Sequence, residues 1–354
     1  MNKLPELRQF KRIAVIQTAF LGDIALALYL AERIKELHPD CELTFITTPH
    51  AAALVSCAKA VDNVITYDKR GMHSGWQGIK FISGILKQKN IDCIIGLQRS
   101  MRTSLVSYFA KPIYSVGFDK STFSFLYKKR IKYIQGIHEV ERNEELLNAF
   151  VSHWSQVLSC NWKLAINMDD DDKNYIDNLL SNFNILNKDN LVAIAPGSVW
   201  ETKRWLPEYF EILIDELIKL EYKPVLIGSK DDLRLAERIM NNTGCLSIVG
   251  ETSIPQLLYF FTQCKLTITN DSSPTHLAGL VGCRTLTIFG ATVPEFGFSP
   301  LGKKDRSIGL DGLKCRPCSI HGGKNCPIKT FDCMVKLSPE IVNKEALKIL
   351  ESND

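Results

Sequence analysis

Residues 266–282, LTITNDSSPTHLAGLVG, constrain the fold more than any other stretch of the chain. Leu266, Ile268 and the threonines between them predict a short buried strand that stops at a polar turn and feeds at once into a helix. Asn270, Asp271 and Ser272 each suit the N-cap, and Pro274 suits the first helical turn, where a missing N–H costs nothing. Such a corner is either an ordinary well-capped turn or an anion site. In the second case free N–H groups and the helix dipole converge on one spot, with the Ser272 and Ser273 hydroxyls beside them. Asp271 and His276 add a partner for a sugar hydroxyl and a donor for a phosphate.

A chain built from corners of this kind is an α/β protein with parallel sheets, and the alternation runs through the whole sequence. KRIAVIQ (11–17), CELTFIT (41–47), VDNVITYD (61–68), IDCIIGL (91–97) and IYSVGF (113–118) read as strands, with helices predicted over 24–37, 76–89 and 97–110. Next comes a basic and aromatic stretch, 119–136, with Lys128, Lys129, Arg130 and Lys132 beside Phe123, Phe125 and Tyr127, and then an amphipathic helix over 138–158. The aspartates of MDDDDKNYIDNLLSNF favour a helix N-terminus, and this region is the expected boundary between domains at 1–168 and 169–354. Strands are predicted again at 191–197, 223–229, 245–250, 266–270 and 283–292, with helices over 206–220, 231–240 and 253–264. A last helix, 338–350, is capped by Ser338 and expected to be able to pack back on the first domain. Two doubly wound domains side by side predict a ligand cleft at the carboxyl ends of their strands.

Composition narrows the classes further. At 354 residues two domains are expected, and a net charge of +4 is too small to argue for nucleic acid, yet does not repel an anionic substrate. MNKLPELRQFKR lacks the apolar core of a signal peptide, and no apolar stretch approaches bilayer-spanning length. Eleven cysteines scattered through strand and helix patterns favour reduced thiols in a cytoplasmic protein. Cys315, Cys318, Cys326 and Cys333 share one loop, for which zinc ligation, free thiols and a redox-dependent disulfide all stay open.

Two further turns carry candidate chemistry. Asp23 follows the first strand beside Gly22, where it either caps the helix or accepts a proton from an attacking hydroxyl. In APGSVWETKRWLPEYF (195–210) a strand ends at Gly197 and a loop carries Ser198, Thr202, Lys203 and Arg204; Lys203 is either solvated or a phosphate ligand. GSKDD (228–232) brings Asp231 or Asp232 to the same rim, or simply caps a helix.

Taken together, RIAVIQTAFLGDIALALYLAERIKELHP, LQRSMRTSLVSYFA, VGF, HEVERNEELL, APGSVWETKRWLPEYF, LIGS, TNDSSPTHLAGLVG, FGAT and CRPC…CP…C resemble the ADP-heptose:lipopolysaccharide heptosyltransferases. These belong to glycosyltransferase family nine, of GT-B architecture, and the cysteine segment and NDSSP resemble the second heptosyltransferase most. The resemblance covers nearly the whole chain. It implies two Rossmann-like domains, the first binding the acceptor and the second the ADP-sugar, and an inverting transfer that needs no metal. It implies Asp23 as general base and Lys203 as ligand of the ADP phosphates. Ser198, Thr202, Asp271, Ser272, Ser273, His276 and Thr292 would line the donor site, and Arg99 and Arg102 would receive an acidic lipopolysaccharide-core acceptor. A cytoplasmic enzyme in peripheral contact with the inner membrane, with no nucleic-acid partner, follows from that acceptor. Ser273 stands where the family often has glycine, and Phe20 and Leu21 replace smaller or more polar residues.

Overall fold

The computed structural model describes residues 4–151, 163–185, 188 and 190–352. Contacts divide the chain into two compact units, Met1–Asn167 and Met168–Asp354. In the first, β1 (Arg12–Ile16), α1 (Leu21–Leu37), β2 (Glu42–Thr47), α2 (Ala52–Cys57), β3 (Asn63–Thr66), α3 (Gly75–Gln88), β4 (Cys93–Gly96), α4 (Met101–Ala110), β5 (Tyr114–Phe118), β6 (Lys129–Ile131) and α5 (Glu139–Glu144) follow one another. The strands form one parallel sheet in the order β3-β2-β1-β4-β5-β6.

The second unit holds α6 (Asp170–Asn182), β7 (Leu191–Ala195), α7 (Pro207–Lys219), β8 (Lys223–Leu226), α8 (Leu233–Thr243), β9 (Leu246–Ser247), α9 (Ile254–Gln263), β10 (Leu266–Asn270), α10 (Ser273–Leu280), β11 (Thr285–Ile288), β12 (Arg306–Ile308), α11 (Asp332–Val335) and α12 (Pro339–Leu350). Its sheet, again parallel throughout, runs β12-β11-β10-β7-β8-β9. Read from the unit's first strand outwards, this is the same doubly wound topology. The strand order reverses between β1 and β4 in one unit and between β7 and β10 in the other, the place where such sheets bind ligands.

The central strands are legible because they are apolar on both faces: β1, β4, β7, β10 and β11 are buried almost throughout. Ile79, Ile82 and Leu86 of α3 and Val106 of α4 close one face of the first sheet over Ala14, Ile16, Ile46 and Ile94. On the strand pair β4–β5, Gly96 lies opposite Gly117. A Cβ on Gly117 would fall 2.4 Å from the buried Tyr127 ring and one on Gly96 2.5 Å from its hydroxyl, so two glycines make room for one aromatic side chain and thereby seat the segment entering β6.

Two expectations change. The helix expected over 138–158 is only six residues of α5 followed by a 3-10 stretch at Glu145–Ala149, and residues 152–162 lie outside the described residues. The basic stretch contains an edge strand, β6, that its charges concealed. The terminal helix sends Val342, Ala346 and Ile349 into the core of its own unit, packed on α7 and β10.

Candidate active site

In the first unit the turn after β1 and the turn after β4 flank the switch point. Asp23 sits in the first turn of α1, where its Oδ2 accepts the N–H of Phe20 at 3.2 Å. The capping interpretation is therefore correct for that oxygen. Cationic side chains surround the turn. Thr18 binds Gln98 at 2.7 Å and accepts the ammonium of Lys69 on its carbonyl, so Lys69 is held beside the turn that leads to Asp23. Burial lowers the Lys69 pKa, and the neighbouring charges of Arg70 and Arg102 lower it further. Arg102 is exposed, and so is Arg99, whose guanidinium lies 4.1 Å from the centre of the Tyr133 ring. Lys69 and Arg70 were not singled out in the sequence; their only signal is a basic pair soon after a strand end.

The second switch point is tied together more tightly. Asn270, fully buried at the end of β10, accepts the Trp205 N–H at 3.0 Å and donates to the Pro196 carbonyl at 2.8 Å. That one side chain fastens the loop after β7 to the end of β10. As a result the Lys203 ammonium stands 2.6 Å from Asp271 Oδ2, with both side chains largely buried. Thr292 donates its hydroxyl to the same oxygen at 2.6 Å. The three residues come from three different strand ends, and next to them α10 begins. Ser272 occupies its N-cap position without making a side-chain cap, and its hydroxyl lies 3.3 Å from both Thr269 Oγ1 and the Asn270 carbonyl. A buried pair of this kind adds little over apolar packing, while removing one partner costs about 3–5 kcal/mol, so it points to a role beyond stability.

The remaining predicted donor residues divide. Ser273 is the first residue of α10, and His276 is buried one turn on, its ring 6.3 Å from that of Phe298. Thr202 is buried: its Oγ1 accepts the Gly323 N–H at 2.7 Å, and its N–H donates to the Gly323 carbonyl at 3.0 Å. Ser198 Oγ accepts the Trp200 N–H at 3.4 Å within its own loop. Asp232 resolves the GSKDD ambiguity as a cap, accepting both the N–H and the hydroxyl of Ser229 at 2.9 Å. Its carboxylate lies so close to Gly197 that a Cβ there would meet it at 2.2 Å.

One residue the sequence reading passed over is Arg316. Its guanidinium donates to the carbonyls of Gly290 at 2.8 Å, Thr292 at 3.1 Å and Leu310 at 2.6 Å, fixing the turn that presents Thr292 to Asp271. Cys315, Cys318, Cys326 and Cys333 are free thiols. Among the described residues no three Cys, His, Asp or Glu side chains are grouped so as to hold a metal ion.

Two doubly wound units, each with charged side chains at its switch point, are the elements of the GT-B fold. Two structures share the fold over almost the entire chain. One is the glycosyl transferase family 9 protein of Veillonella parvula, with a TM-score of 0.86 at 21% identity, covering 96% of this chain and 97% of the other. The second is the ADP-heptose LPS heptosyltransferase II of E. coli, with a TM-score of 0.75 at 20% identity, covering 96% and 98%. A sequence relative, the lipopolysaccharide core heptosyltransferase OpsX of Haemophilus influenzae, is 24% identical over 79% of each chain. The chain belongs to glycosyltransferase family 9, the heptosyltransferase family, whose profile matches residues 82–328. It is a glycosyltransferase. The matched span includes Lys203, Asp271 and Thr292, whereas Asp23 precedes it.

Proposed function

We propose that this enzyme transfers a heptose from ADP-heptose to the inner core of lipopolysaccharide with inversion at the anomeric carbon. The observation that carries the donor side is the Lys203–Asp271–Thr292 cluster at the start of α10. A diphosphate arriving there meets an ammonium already positioned by Asp271, together with the positive end of a helix. Lys203 then supplies the charge that stabilises departing ADP, so no metal ion is needed. In the transfer step the acceptor oxygen attacks the anomeric carbon from the face opposite the phosphate. The bond from carbon to the β-phosphate oxygen breaks, ADP leaves, and the hydroxyl proton passes to Asp23.

The acceptor side rests on charge. Between Lys69 and Lys132 thirteen lysines and arginines stand against two aspartates, while the whole chain is only +4. Trp76, Tyr108, Phe123 and Phe125 are exposed among them. An acidic lipid-linked acceptor, and the anionic inner face of the membrane that holds it, match a surface of this composition. Contact would be peripheral, since no described helix is long and apolar enough to cross a bilayer.

Calorimetric titration of ADP, UDP, GDP and ADP-heptose into the purified chain, with and without a chelator, tests the donor reading. ADP and ADP-heptose are expected to bind selectively and equally well in both conditions. Preference for UDP or GDP would move the function to another sugar transfer. Loss of binding with chelator would overturn metal independence, and no binding at all would mean a chain without this activity.

A further inference from the structure

We infer that Arg316 is a positioning residue for donor binding: by fixing the turn after β11 it keeps the Thr292 hydroxyl on Asp271, so that Lys203 can leave that carboxylate for a diphosphate. The inference rests on Lys203 being the ligand of the ADP phosphates. Its starting point is the cysteine segment, CRPC and the loop beyond it, to which neither the donor nor the acceptor reading gives a part.

The segment grips the donor cluster from two sides. On one side the Arg316 side chain, 7% exposed, donates to the carbonyls of Gly290, Thr292 and Leu310 at 2.8, 3.1 and 2.6 Å. Its Nη2 reaches the Phe289 carbonyl at 3.3 Å, and the Cys318 N–H donates to the Ala291 carbonyl at 2.9 Å. Every carbonyl from Phe289 to Thr292 is thus held by residues 316 and 318. On the other side Gly323 bonds Thr202 twice, next to Lys203. Gly322, at φ +83°, sits where a Cβ would lie 3.2 Å from Lys203 Cγ. The two turns also touch directly, the Ala291 N–H donating to the Thr202 carbonyl at 3.3 Å.

The guanidinium is not there to neutralise a carboxylate. Its ion pair with Asp311 is long, 3.9 Å, and the Asp311 side chain is fully exposed, so that pair contributes little. Its planar fork spans carbonyls of different residues, which a lysine ammonium, a single point charge, does not do. The consequence falls on Asp271. Its Oδ2 accepts both the Lys203 ammonium and the Thr292 hydroxyl, each at 2.6 Å, in a buried position. When a diphosphate draws the ammonium away, the carboxylate keeps the hydroxyl. Without that hydroxyl the same step would strand a buried charge, so Lys203 would stay on Asp271 and bind phosphate less well.

The test is calorimetric ADP affinity for the parent enzyme, Arg316→Lys, Thr292→Val and the double variant. Thr292→Val should weaken ADP binding about tenfold and Arg316→Lys about three- to tenfold. In the double variant the loss should match that of Thr292→Val alone, because Arg316 acts through a hydroxyl that is already gone. Losses that multiply would overturn the inference, since a merely structural role of Arg316 weakens binding whichever residue stands at 292. So would unchanged ADP affinity in Arg316→Lys. Hydrogen exchange on the parent enzyme needs no variant to fold. There ADP should slow exchange of the Cys318 and Gly323 amides, because a segment that favours binding is stabilised by it to the same degree. Unchanged exchange at both amides would also overturn the inference. A parent enzyme that binds no ADP removes the donor reading itself and the inference with it, whereas one that binds ADP but fails the cycle removes only Arg316.

Discussion

Both units carry their polar side chains where the strand order reverses, yet the two switch points hold charge in opposite ways. At β7–β10 the carboxylate of Asp271 is consumed by the Lys203 ammonium and the Thr292 hydroxyl, and Asn270 locks the surrounding loops. At β1–β4 the cations are not paired off in this way: Lys69 is held by the Thr18 carbonyl with the charges of Arg70 and Arg102 acting on it, Arg99 and Arg102 are exposed, and Asp23 Oδ2 caps a helix. Identical topology has thus produced one internally neutralised site and one that keeps excess positive charge. The first suits a ligand that arrives with its own negative charge and displaces part of an existing pair. The second suits a ligand whose negative charge finds no partner of its own.

That contrast can be broken by substitution. Asp23→Asn should leave ADP affinity intact and lower turnover by about 10²–10⁴-fold, as measured by calorimetry and ADP release. If affinity and turnover fell together, Asp23 would be only the cap that its bond to Phe20 shows. Lys203→Ala should weaken ADP binding by about 10- to 100-fold, the loss expected for one charge-assisted phosphate contact, and also lower the melting temperature because Asp271 is left unpaired. Unchanged ADP affinity would take Lys203 out of the donor site. Arg99→Ala combined with Arg102→Ala should raise acceptor KM by about tenfold at low salt and less at high salt, without altering ADP binding. An effect on ADP instead would mean that the first unit's cations serve the donor.

Much of this arrangement was legible beforehand, and the failures have physical causes. Apolar runs revealed the central strands because a parallel sheet buries both faces. The three-residue strands Lys129–Ile131 and Arg306–Ile308 stand at sheet edges, are short and charged, and left no pattern to read. The segment 138–158 reads as an amphipathic helix with its charges in solvent, but Arg142, Asn143 and Glu144 are buried and α5 ends at Glu144. A polar residue is normally exposed, and only a partner brought from elsewhere in the fold reverses that.

The sequence by itself determined the two doubly wound units, the corners at which Asp23, Lys203 and Asp271 would sit, and the resemblance to the heptosyltransferases, because hydrophobic periodicity and turn chemistry are local properties of the chain. Tertiary structure alone decided that Lys203 pairs with Asp271, that Asn270 fastens the loop after β7 to the end of β10, and that Arg316 holds the Thr292 turn. These are contacts between residues remote in sequence, and their strength depends on burial, which removes the water that would otherwise screen each charge.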